Sequence, residues 1–352
     1  MKLLIINPGS TSTKMAVYEN ETPLIDISLS HDLDALSQFD KLTDQYDFRK
    51  SNILDALKEN NISVEELDAV VGRGGLVKSI EGGTYVVNDA LMRDLRAGVQ
   101  GEHASNLGGL IAHEIASSIN KPAYIVDPVV VDELDEISRI SGHPWITRRS
   151  IFHALNQKAI ARAYGREVNK KYIDITVIVV HMGGGISVGI HHKGRVIDVN
   201  NALDGEGPFS PERSGGLPVG DLARLCFNGR TPLEIKKAIT GNGGLVAYYG
   251  TNDCKALTEQ SVDNPEIKTV IDAMIYQISK EIAGLSAAVN GNVDAILLTG
   301  GLAFGKDITD AITKRVGFIA PVKVYPGGHE HLALAQGALR VLNGEEDAKI
   351  YI

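Results

Sequence analysis

Three turns rich in small residues, each following an apolar segment, supply groups that could bind phosphate. Residues 7–14 offer an amide, four hydroxyls and an ammonium within eight positions. Glycine and serine turns at the end of a strand form concave arrays of backbone N–H groups that bind anions. A single loop of this kind could be an ordinary polar hairpin, but three together indicate phosphate binding. The candidate ligands are Asn7, Ser10, Ser12, Lys14, Gly183, Gly184, Gly185, Gly300 and Gly301.

Two arginines lie in glycine-flanked loops and have the chemistry to act on a phosphoryl group. Gly72 and Gly74 flank Arg73, and Arg213 is followed by Ser214 and Gly215. A guanidinium is always charged and presents a planar fork to phosphate or carboxylate. Surface arginines without a function are the alternative. None of the turns is a Walker A loop or a Gly-x-Gly-x-x-Gly before a helix, so the common nucleotide-binding folds do not fit.

Other candidate residues lie where strands end and helices begin. Asp127 closes an apolar segment, a position at which open α/β sheets place ligands. His153 follows Phe152 at a predicted helix start, and His181 ends a predicted strand beside the second glycine turn. A turn aspartate and a helix-capping histidine are the alternatives.

Length and composition limit the class of protein. A chain of 352 residues suggests two domains, and 43% apolar residues suffice for sizeable cores. The net charge of −9 argues against a nucleic-acid or anionic-membrane partner, and two cysteines fit a reducing compartment. No apolar run approaches the ~18 residues that span a bilayer, and the apolar start is interrupted at residues 7–9, too early for a signal sequence. We therefore expect a cytoplasmic protein without membrane contact.

The strands and turns that must position the candidate side chains occur in two segments of similar pattern. Residues 3–26 and 175–198 each read as strand, small-residue turn, strand, hairpin and strand. Chance could produce one such match, but a duplicated β-β-β unit is the better interpretation. Helices are predicted over 45–60, 105–119, 153–171 and 329–342, and strands over 69–72, 122–126 and 293–298. A further helix begins at Asn264 and ends at Asn290. Alternating strands and helices on a mostly parallel sheet predict the α/β class.

Seven motifs in order resemble the acetokinase family, within the superfamily of acetate and sugar kinases, heat-shock chaperones and actin. They are the residue 7–14 loop, Gly72-Arg73-Gly74-Gly75, Asp127-Pro128, Arg148-Arg149-x-x-Phe152-His153, His181-Met182-Gly183-Gly184-Gly185, Glu212-Arg213-Ser214-Gly215 and Leu298-Thr299-Gly300-Gly301. The resemblance implies two ribonuclease-H-like domains, built from duplicated βββαβα units, with an interdomain active-site cleft. The expected first domain is 1–150, joined by the C-terminal helix 331–352. Residues 151–330 are the expected nucleotide-binding domain.

The family's activity implies ATP-dependent phosphorylation of a short-chain carboxylate, with Mg²⁺ and ATP/ADP as cofactors. A carboxylate is ionised at pH 7, so the reaction needs positioning and fixed positive charge rather than a base. By resemblance, the catalytic residues are Arg73, Asp127, His153 and Arg213. His181 and Asp253 join the glycine turns in nucleotide binding, and Asn7, Asp127 and Glu330 are the residues linked to Mg²⁺. Transfer is expected to be direct and in line, with a phosphoenzyme through Glu330 as the alternative.

Some features fit the butyrate-phosphorylating branch of the family better than the acetate branch. They are Pro8, His103-Ala104-Ser105-Asn106 and Gly250-Thr251-Asn252-Asp253. Gly75, His103 and Phe152 are the expected substrate pocket, where glycines after Arg73 replace bulky residues and should leave room for a longer acyl chain. Acetate, propionate or isobutyrate phosphorylation is the alternative within the class, and a non-catalytic nucleotide-dependent clamp is the alternative outside it. The family also implies a homo-oligomer.

Overall fold

Two mixed β-sheets, each covered by helices, organise the chain into two units. A computed structural model describes all the residues, Met1–Ile352. The first unit comprises Met1–Val131 together with His329–Ile352, and the second comprises Asp132–Gly328. No helix is both long enough and apolar enough to cross a bilayer.

Twelve strands and thirteen α-helices alternate along the chain. The strands are β1 (Lys2–Pro8), β2 (Ser12–Glu19), β3 (Thr22–Ser30), β4 (Ala69–Arg73), β5 (Thr84–Val86), β6 (Ala123–Val126), β7 (Thr176–Met182), β8 (Ile186–His192), β9 (Arg195–Val199), β10 (Ala295–Gly300), β11 (Val322–Pro326) and β12 (Lys349–Ile350). The helices are α1 (Leu33–Leu36), α2 (Tyr46–Glu59), α3 (Asp89–Ala97), α4 (Asn106–Ser118), α5 (Glu136–Arg139), α6 (Ala154–Glu167), α7 (Val219–Cys226), α8 (Pro232–Ile239), α9 (Gly244–Tyr249), α10 (Cys254–Gln260), α11 (Pro265–Ser286), α12 (Lys306–Val316) and α13 (Glu330–Leu342).

The two sheets repeat one arrangement of five strands. The order is β6-β4-β1-β2-β3 in the first unit and β11-β10-β7-β8-β9 in the second. In each sheet the first three strands form an antiparallel meander. The fourth strand, β4 or β10, pairs in parallel with the first strand of the meander, and the fifth, β6 or β11, pairs in parallel with the fourth. The register shifts at the equivalent place in both, between Val17 and Tyr18 and between Ile190 and His191. The shared topology confirms the predicted duplication.

In the first unit, the backbone of helix α4 packs very close to strand β4. A Cβ on Gly72 would collide with the backbone of Gly108 in α4, and a Cβ on Gly108 would lie 2.6 Å from Arg73 O. Only glycine therefore permits this approach of helix and strand. The C-terminal helix α13 packs on β1, β4 and β6 and belongs to the first unit.

The second unit has its core beneath the longest helix, α11. Asn264 Oδ1 accepts from the backbone N–H groups of Glu266 and Ile267, so the predicted N-cap is present. The predicted apolar face is buried: Ile271, Met274, Ile275, Ile278, Ile282, Leu285 and Val289. A short 3₁₀ turn follows Ser286, and Asn290, at φ +53°, ends it.

Residues 132–150 lie in the second unit, although the sequence assigns them to the first domain. Asp135 N–H donates to Ile197 O at 2.9 Å. Glu133 forms a buried ion pair with Lys158 of α6, with Nζ 2.8 Å and 2.9 Å from the two carboxylate oxygens. These contacts join distant parts of the chain, so no local composition change marks the boundary.

Several elements, most of them short, have no counterpart in the sequence prediction. They are β5, β11 and β12, and the helices α1, α3, α5, α7 to α10 and α12. The strands β5 and β12, of three and two residues, carry too few positions to show a period of two. The helices of six to eight residues between 219 and 260 depend on caps, as where Thr231 and Glu234 form a capping box at α8.

Candidate active site

In the first unit, three predicted site residues lie at the carboxyl ends of neighbouring parallel strands. Ile6 of β1 pairs with Gly72 of β4, so Asn7 and Arg73 follow at the same edge. Asp127 comes directly after β6, whose last residue, Val126, pairs with Arg73. This edge is where parallel sheets place ligand-binding groups.

Glu330, the first residue of α13, joins this edge through two polar contacts. Its Oε2 accepts from Arg73 Nη1 at 2.6 Å and from Asn7 Nδ2 at 2.8 Å. Arg73 Nη1 also donates to Asn7 Oδ1 at 3.3 Å. The structure thus brings an arginine and an amide together with a carboxylate that lies more than 250 positions later in the sequence.

Asp127 is held in a strained backbone conformation. It has φ +38°, which non-glycine residues rarely adopt. Its N–H donates to Gly83 O at 3.0 Å, and its Oδ1 accepts from Gly83 N–H at 2.7 Å. At least one carboxylate oxygen therefore fixes the loop before β5. Strain of this kind is concentrated at functional sites.

The loop between β1 and β2 points its donors outward. Ser10, Ser12 and Lys14 are at least partly exposed, and their side chains make no hydrogen bond or ion pair within the protein. Gly9 N–H donates to Ser12 O at 2.8 Å and closes the turn. The predicted phosphate-binding side chains of this loop are accordingly available to a ligand.

The structure corrects the expectation that Gly75 leaves room beside a bound carboxylate. A Cβ at this position would collide with Asn106 and would lie 2.8 Å from Leu95 Cδ2. Position 75 therefore requires glycine because the protein interior is already filled where a side chain would lie. Phe152, the other expected wall, is only 2% exposed and presents almost no surface to a ligand.

His103 is near enough to Arg73 for the charges to interact. Partial burial and the positive charge of Arg73 lower the pKa of His103, so the ring is neutral at pH 7. Ser105 N–H donates to its Nδ1 at 3.2 Å, which leaves the ring proton on Nε2. His103 thus has a donor to offer a substrate oxygen.

In the second unit, His153 and His181 stack against each other. Their ring centroids are 3.9 Å apart, at an interplanar angle of 14°. Asn156 Nδ2 donates to Gly328 O at 2.8 Å, so its Oδ1 faces His181 Nδ1 at 2.7 Å and must accept. His181 therefore carries a proton on Nδ1 and can donate through Nε2 only as an imidazolium.

Arg213 packs directly onto the second glycine turn. A Cβ on Gly185 would collide with Arg213 Nη1 and lie 2.5 Å from Cζ. Nη1 donates to Ala202 O. Burial lowers the pKa of the guanidinium, although the negative charges of Glu212 and Asp204 act in the opposite direction and raise it. The arginine nevertheless stays charged, because its ordinary pKa is far above 7.

The third glycine turn borders a cavity. Gly300 has φ +89°, and a Cβ there would lie 2.7 Å from Met182 N, so only glycine fits between β10 and β7. Gly301 has nothing within 4 Å of its side-chain position. It lines a cavity of about 620 Å³ whose other walls include Cys254, Lys255, Leu302, Phe304 and Ile308.

Asp253 has a structural role at this cavity. Its Oδ1 accepts from Ala256 N–H at 3.0 Å and caps α10. The residues after it, Cys254 and Lys255, line the cavity instead.

With this geometry established, comparison with known proteins decides the family. Residues 135–319 match the Acetokinase family. The protein named Butyrate kinase 1 from Clostridium acetobutylicum is 58% identical over 352 residues, covering 99% of both chains. The chain belongs to the acetokinase family. A protein named Probable butyrate kinase from Clostridium botulinum is 55% identical, with the same coverage.

Solved structures show the same fold. The crystal structure of Porphyromonas gingivalis acetate kinase matches with a TM-score of 0.77, covering 97% of this chain and 99% of that chain at 19% identity. The predicted two-domain α/β fold of the acetokinases is therefore confirmed. Acetokinases are carboxyl-group phosphotransferases, and this family member accordingly uses ATP and ADP.

The oxygen-bearing side chains of the first unit fit a magnesium ion. Mg²⁺ takes oxygen ligands and is held in kinases by one or two carboxylates together with water and substrate phosphates. Asn7, Asp127 and Glu330 supply an amide and two carboxylates, with no competing cysteine. No group of three or more histidine, cysteine, aspartate or glutamate residues that could hold a metal ion is present, so the protein offers at most two carboxylates here.

Sequence reasoning missed the polar residues that support the acetokinase side chains. Asn156 and Ser187 contact the two histidines, and Arg49 contacts the residue 9–12 loop. All three are buried. The only sequence signal that could have identified these three residues is their polar character at positions where the helix or strand faces the interior.

Proposed function

We propose that this protein transfers the γ-phosphoryl group of ATP to butyrate, giving butyryl phosphate and ADP. The observation that carries the proposal is the 58% identity over 99% of both chains with the protein named Butyrate kinase 1. The residues of both units agree with it, because they provide cations and neutral donors that suit a phosphoryl group.

In the first unit, Arg73 is proposed to bind charge on the carboxylate or the transferred phosphoryl group. Its guanidinium is held by Glu330 and Asn7, so its direction is fixed before substrate arrives. His103 adds a neutral Nε2–H donor. Fixed donors of this kind stabilise a transition state without reorganisation.

Asn7, Asp127 and Glu330 are proposed to hold Mg²⁺ through its water or directly. When bound, the ion neutralises charge on the β- and γ-phosphates of ATP. The Glu330 Oε2 contacts with Arg73 and Asn7 favour direct transfer over a phosphoenzyme, because a carboxylate engaged by a cation is a weaker nucleophile. Ser10, Ser12 and Lys14 are proposed to bind phosphate oxygens.

In the second unit, Arg213, His153 and His181 are proposed to contact the transferred phosphoryl group. Arg213 is charged, and His153 contributes an Nε2–H donor. The glycine turn, Gly183-Gly184-Gly185, has no side chains, so its backbone is accessible to a ligand. Gly183 lies beside His181: a Cβ on Gly183 would be 3.4 Å from His181 Nε2. Arg213 and His153 stabilise charge, and His181 does so through Nε2 when its ring is an imidazolium. None of the three has to act as a base, since butyrate is already ionised.

The cavity beside Gly301 is proposed to bind the nucleoside of ATP. Its volume of about 620 Å³ lies within the range of small-molecule sites, and its walls are mainly apolar. Phe304, although 72% exposed, belongs to the wall and is suited to stack on a purine.

A hydroxamate assay for acyl phosphate tests the proposal. Purified protein is incubated with MgATP and each straight-chain carboxylate from one to five carbons. We expect butyrate to give the highest kcat/KM, by about tenfold or more over acetate, since pockets discriminate by ~1–3 kcal/mol per methylene. Higher kcat/KM with acetate would reject the substrate assignment, and no acyl phosphate from any carboxylate would reject the enzyme.

A further inference from the structure

Arg49 on α2 is a fully buried arginine without a carboxylate partner. Its guanidinium donates only to neutral acceptors, which are Gln45 Oε1, Thr13 Oγ1 and the carbonyls of Gly9, Ser10 and Ser12. A buried charge without a counter-charge is strongly unfavourable, so the position calls for an explanation. Its histidine neighbour, His31, supplies no negative charge and is itself kept neutral, because burial and Arg49 lower its pKa.

The same guanidinium holds the loop between β1 and β2 by its carbonyl groups. Nη1 lies 2.9 Å from Gly9 O and 3.0 Å from Ser12 O, and Nη2 lies 3.0 Å from Ser10 O. The remaining carbonyl, Thr11 O, accepts from His31 N–H at 2.9 Å. Every backbone acceptor of residues 9–12 is therefore satisfied within the protein.

The donors of the loop consequently point the other way. In a trans peptide the C=O and the following N–H point in opposite directions. With the Gly9 and Ser10 carbonyls turned to Arg49, the N–H groups of Ser10 and Thr11 point away from it, and neither donates to a protein acceptor. The side chains of Ser10, Ser12 and Lys14 likewise have no protein partner. An anion at this loop would meet donors only.

We propose that Arg49 is a positioning residue for phosphate binding, which aligns the residue 9–12 loop and whose charge is balanced when a phosphate group of the nucleotide binds there. The inference rests on the proposed function, because that function supplies the nucleotide. Arg49 does not touch the phosphate in this account. It acts through the backbone it holds and through its charge on the inner side of the loop.

Calorimetric titration of matched variants with MgATP and with adenosine tests this role. Arg49→Met removes the charge and the fork, and we expect MgATP affinity to fall by at least about tenfold, the scale of one charge-assisted hydrogen bond, with adenosine affinity unchanged. Arg49→Lys should lose less, because it keeps the charge but not the fork. Lys50→Met is the control, since this adjacent lysine pairs with Asp47 and Glu114.

Two results would overturn the proposal. One is wild-type MgATP affinity in Arg49→Met, and the other is an equal loss for MgATP and adenosine, which indicates a general folding defect. A measurement on the wild-type protein avoids any folding defect of a variant. The Arg49 Nε–H resonance, observed by NMR with ¹⁵N-labelled arginine, should shift with MgATP and with inorganic phosphate but not with adenosine. An unmoved resonance at saturating MgATP would also reject the role.

The experiments can reject the proposed function and the role of Arg49 independently of each other. If MgATP moves the Arg49 resonance while no carboxylate yields acyl phosphate, the positioning role stands and the kinase assignment falls. If butyryl phosphate forms normally in Arg49→Met at low MgATP, the kinase assignment stands and the positioning role falls.

Discussion

Ser187 Oγ lies 2.8 Å from His153 Nδ1, and the buried polar residues behind Ser187 determine which atom carries the proton. Gln157 Nε2 donates to Ser187 O at 3.0 Å, and a carbonyl can only accept, so the orientation of this amide is fixed. Gln157 Nε2 also donates to Ser187 Oγ at 2.8 Å. The backbone N–H of His153 donates to the same Oγ at 3.4 Å, so both lone pairs of the hydroxyl are used. The hydroxyl must therefore donate to His153 Nδ1, and the ring proton of His153 is on Nε2.

Two more residues extend this chain of hydrogen bonds. Gln157 Oε1 accepts from His191 Nε2 at 3.0 Å, and Tyr172 OH lies 2.8 Å from His191 Nδ1. Because complete burial and the charges of Lys158 and Arg162 lower the pKa of His191, the ring is neutral and Nδ1 accepts from the tyrosine. The hydrogen bonds therefore all run in one direction, from Tyr172 to His153.

Ser187→Ala should release His153 from this tautomer. We expect kcat to fall by about tenfold, because misplaced catalytic groups lose one to two orders of magnitude, while the KM for ATP changes much less. Nitrogen chemical shifts of His153 should show Nε2–H alone in the wild type and a mixture of tautomers in the variant. The free energy of unfolding should fall by ~1 kcal/mol for the lost hydrogen bond.

Thr176→Val is the matched control for this change. Thr176 Oγ1 lies 2.7 Å from His192 Nδ1 on the same pair of strands, but it has no contact with His153. The control should lose similar stability and retain kcat. If His153 keeps a single Nε2–H tautomer in Ser187→Ala, the directional chain does not determine the proton position.

Alanine at Arg73 or Arg213 should reduce kcat far more than it weakens ATP binding. Cations that act on a transferring phosphoryl group contribute on the order of 10³-fold. Lysine should restore little, since an ammonium lacks the fork. Arg166→Ala, at an exposed position of α6, is the control. If a variant retained more than about a tenth of wild-type kcat, an effect under ~1.4 kcal/mol, its arginine would have no catalytic role.

Stability should decrease in acid because of His191. Its folded pKa is well below 6.5, so at pH values below about 6.5 the unfolded chain binds the proton and the native chain does not. The contribution is complete above pH 6.5 and is lost as the pH falls, by up to ~1.4 kcal/mol per pH unit. Urea unfolding between pH 7.5 and 5 should show a shallower slope in His191→Gln than in the wild type, and equal slopes would contradict the assignment.

Phe304→Ala should raise the KM for ATP without changing the KM for butyrate. Stacking of a base on an aromatic ring is worth ~1–3 kcal/mol, which predicts an increase of about fivefold or more. Phe318→Ala is the control, because Phe318 is 82% exposed and lies outside the cavity walls. An unchanged KM for ATP in Phe304→Ala would place the nucleoside elsewhere.

The sequence predicts those parts of the fold whose signals are local. The two β-β-β units, α11 with its Asn264 cap and the glycine turns were all visible as patterns, because hydrophobic period and turn chemistry are properties of neighbouring residues. The edge that joins Asn7, Arg73 and Glu330 was predicted by resemblance alone. Nothing local links residue 330 to residue 7, since parallel pairing and the return of α13 create that proximity.

The packing around glycines was the least predictable feature. Gly75 suggested an open pocket, yet its side-chain direction is filled by Asn106 and Leu95. A glycine in the sequence can mean space for a ligand or close approach of the chain, and the two differ only in three dimensions. Arg49 shows the same limit, because a polar residue on a helix usually faces solvent.

Gly185→Ala tests whether the second glycine turn is required by Arg213. An alanine Cβ would lie 2.5 Å from Arg213 Cζ, so the guanidinium must move. We expect kcat to fall nearly as far as in Arg213→Ala, and the double variant to lose little more, because both changes remove one interaction.

Gly284→Ala provides the control for a methyl group added elsewhere. Gly284 lies within α11 with nothing inside 4 Å of its side-chain position, so alanine should leave kcat unchanged and stabilise the helix by ~0.5–1 kcal/mol. Kinetics of the two single variants and of the Gly185→Ala/Arg213→Ala double variant decide the matter. Fully additive losses would mean that Gly185 serves the backbone of the turn, independently of the arginine beside it.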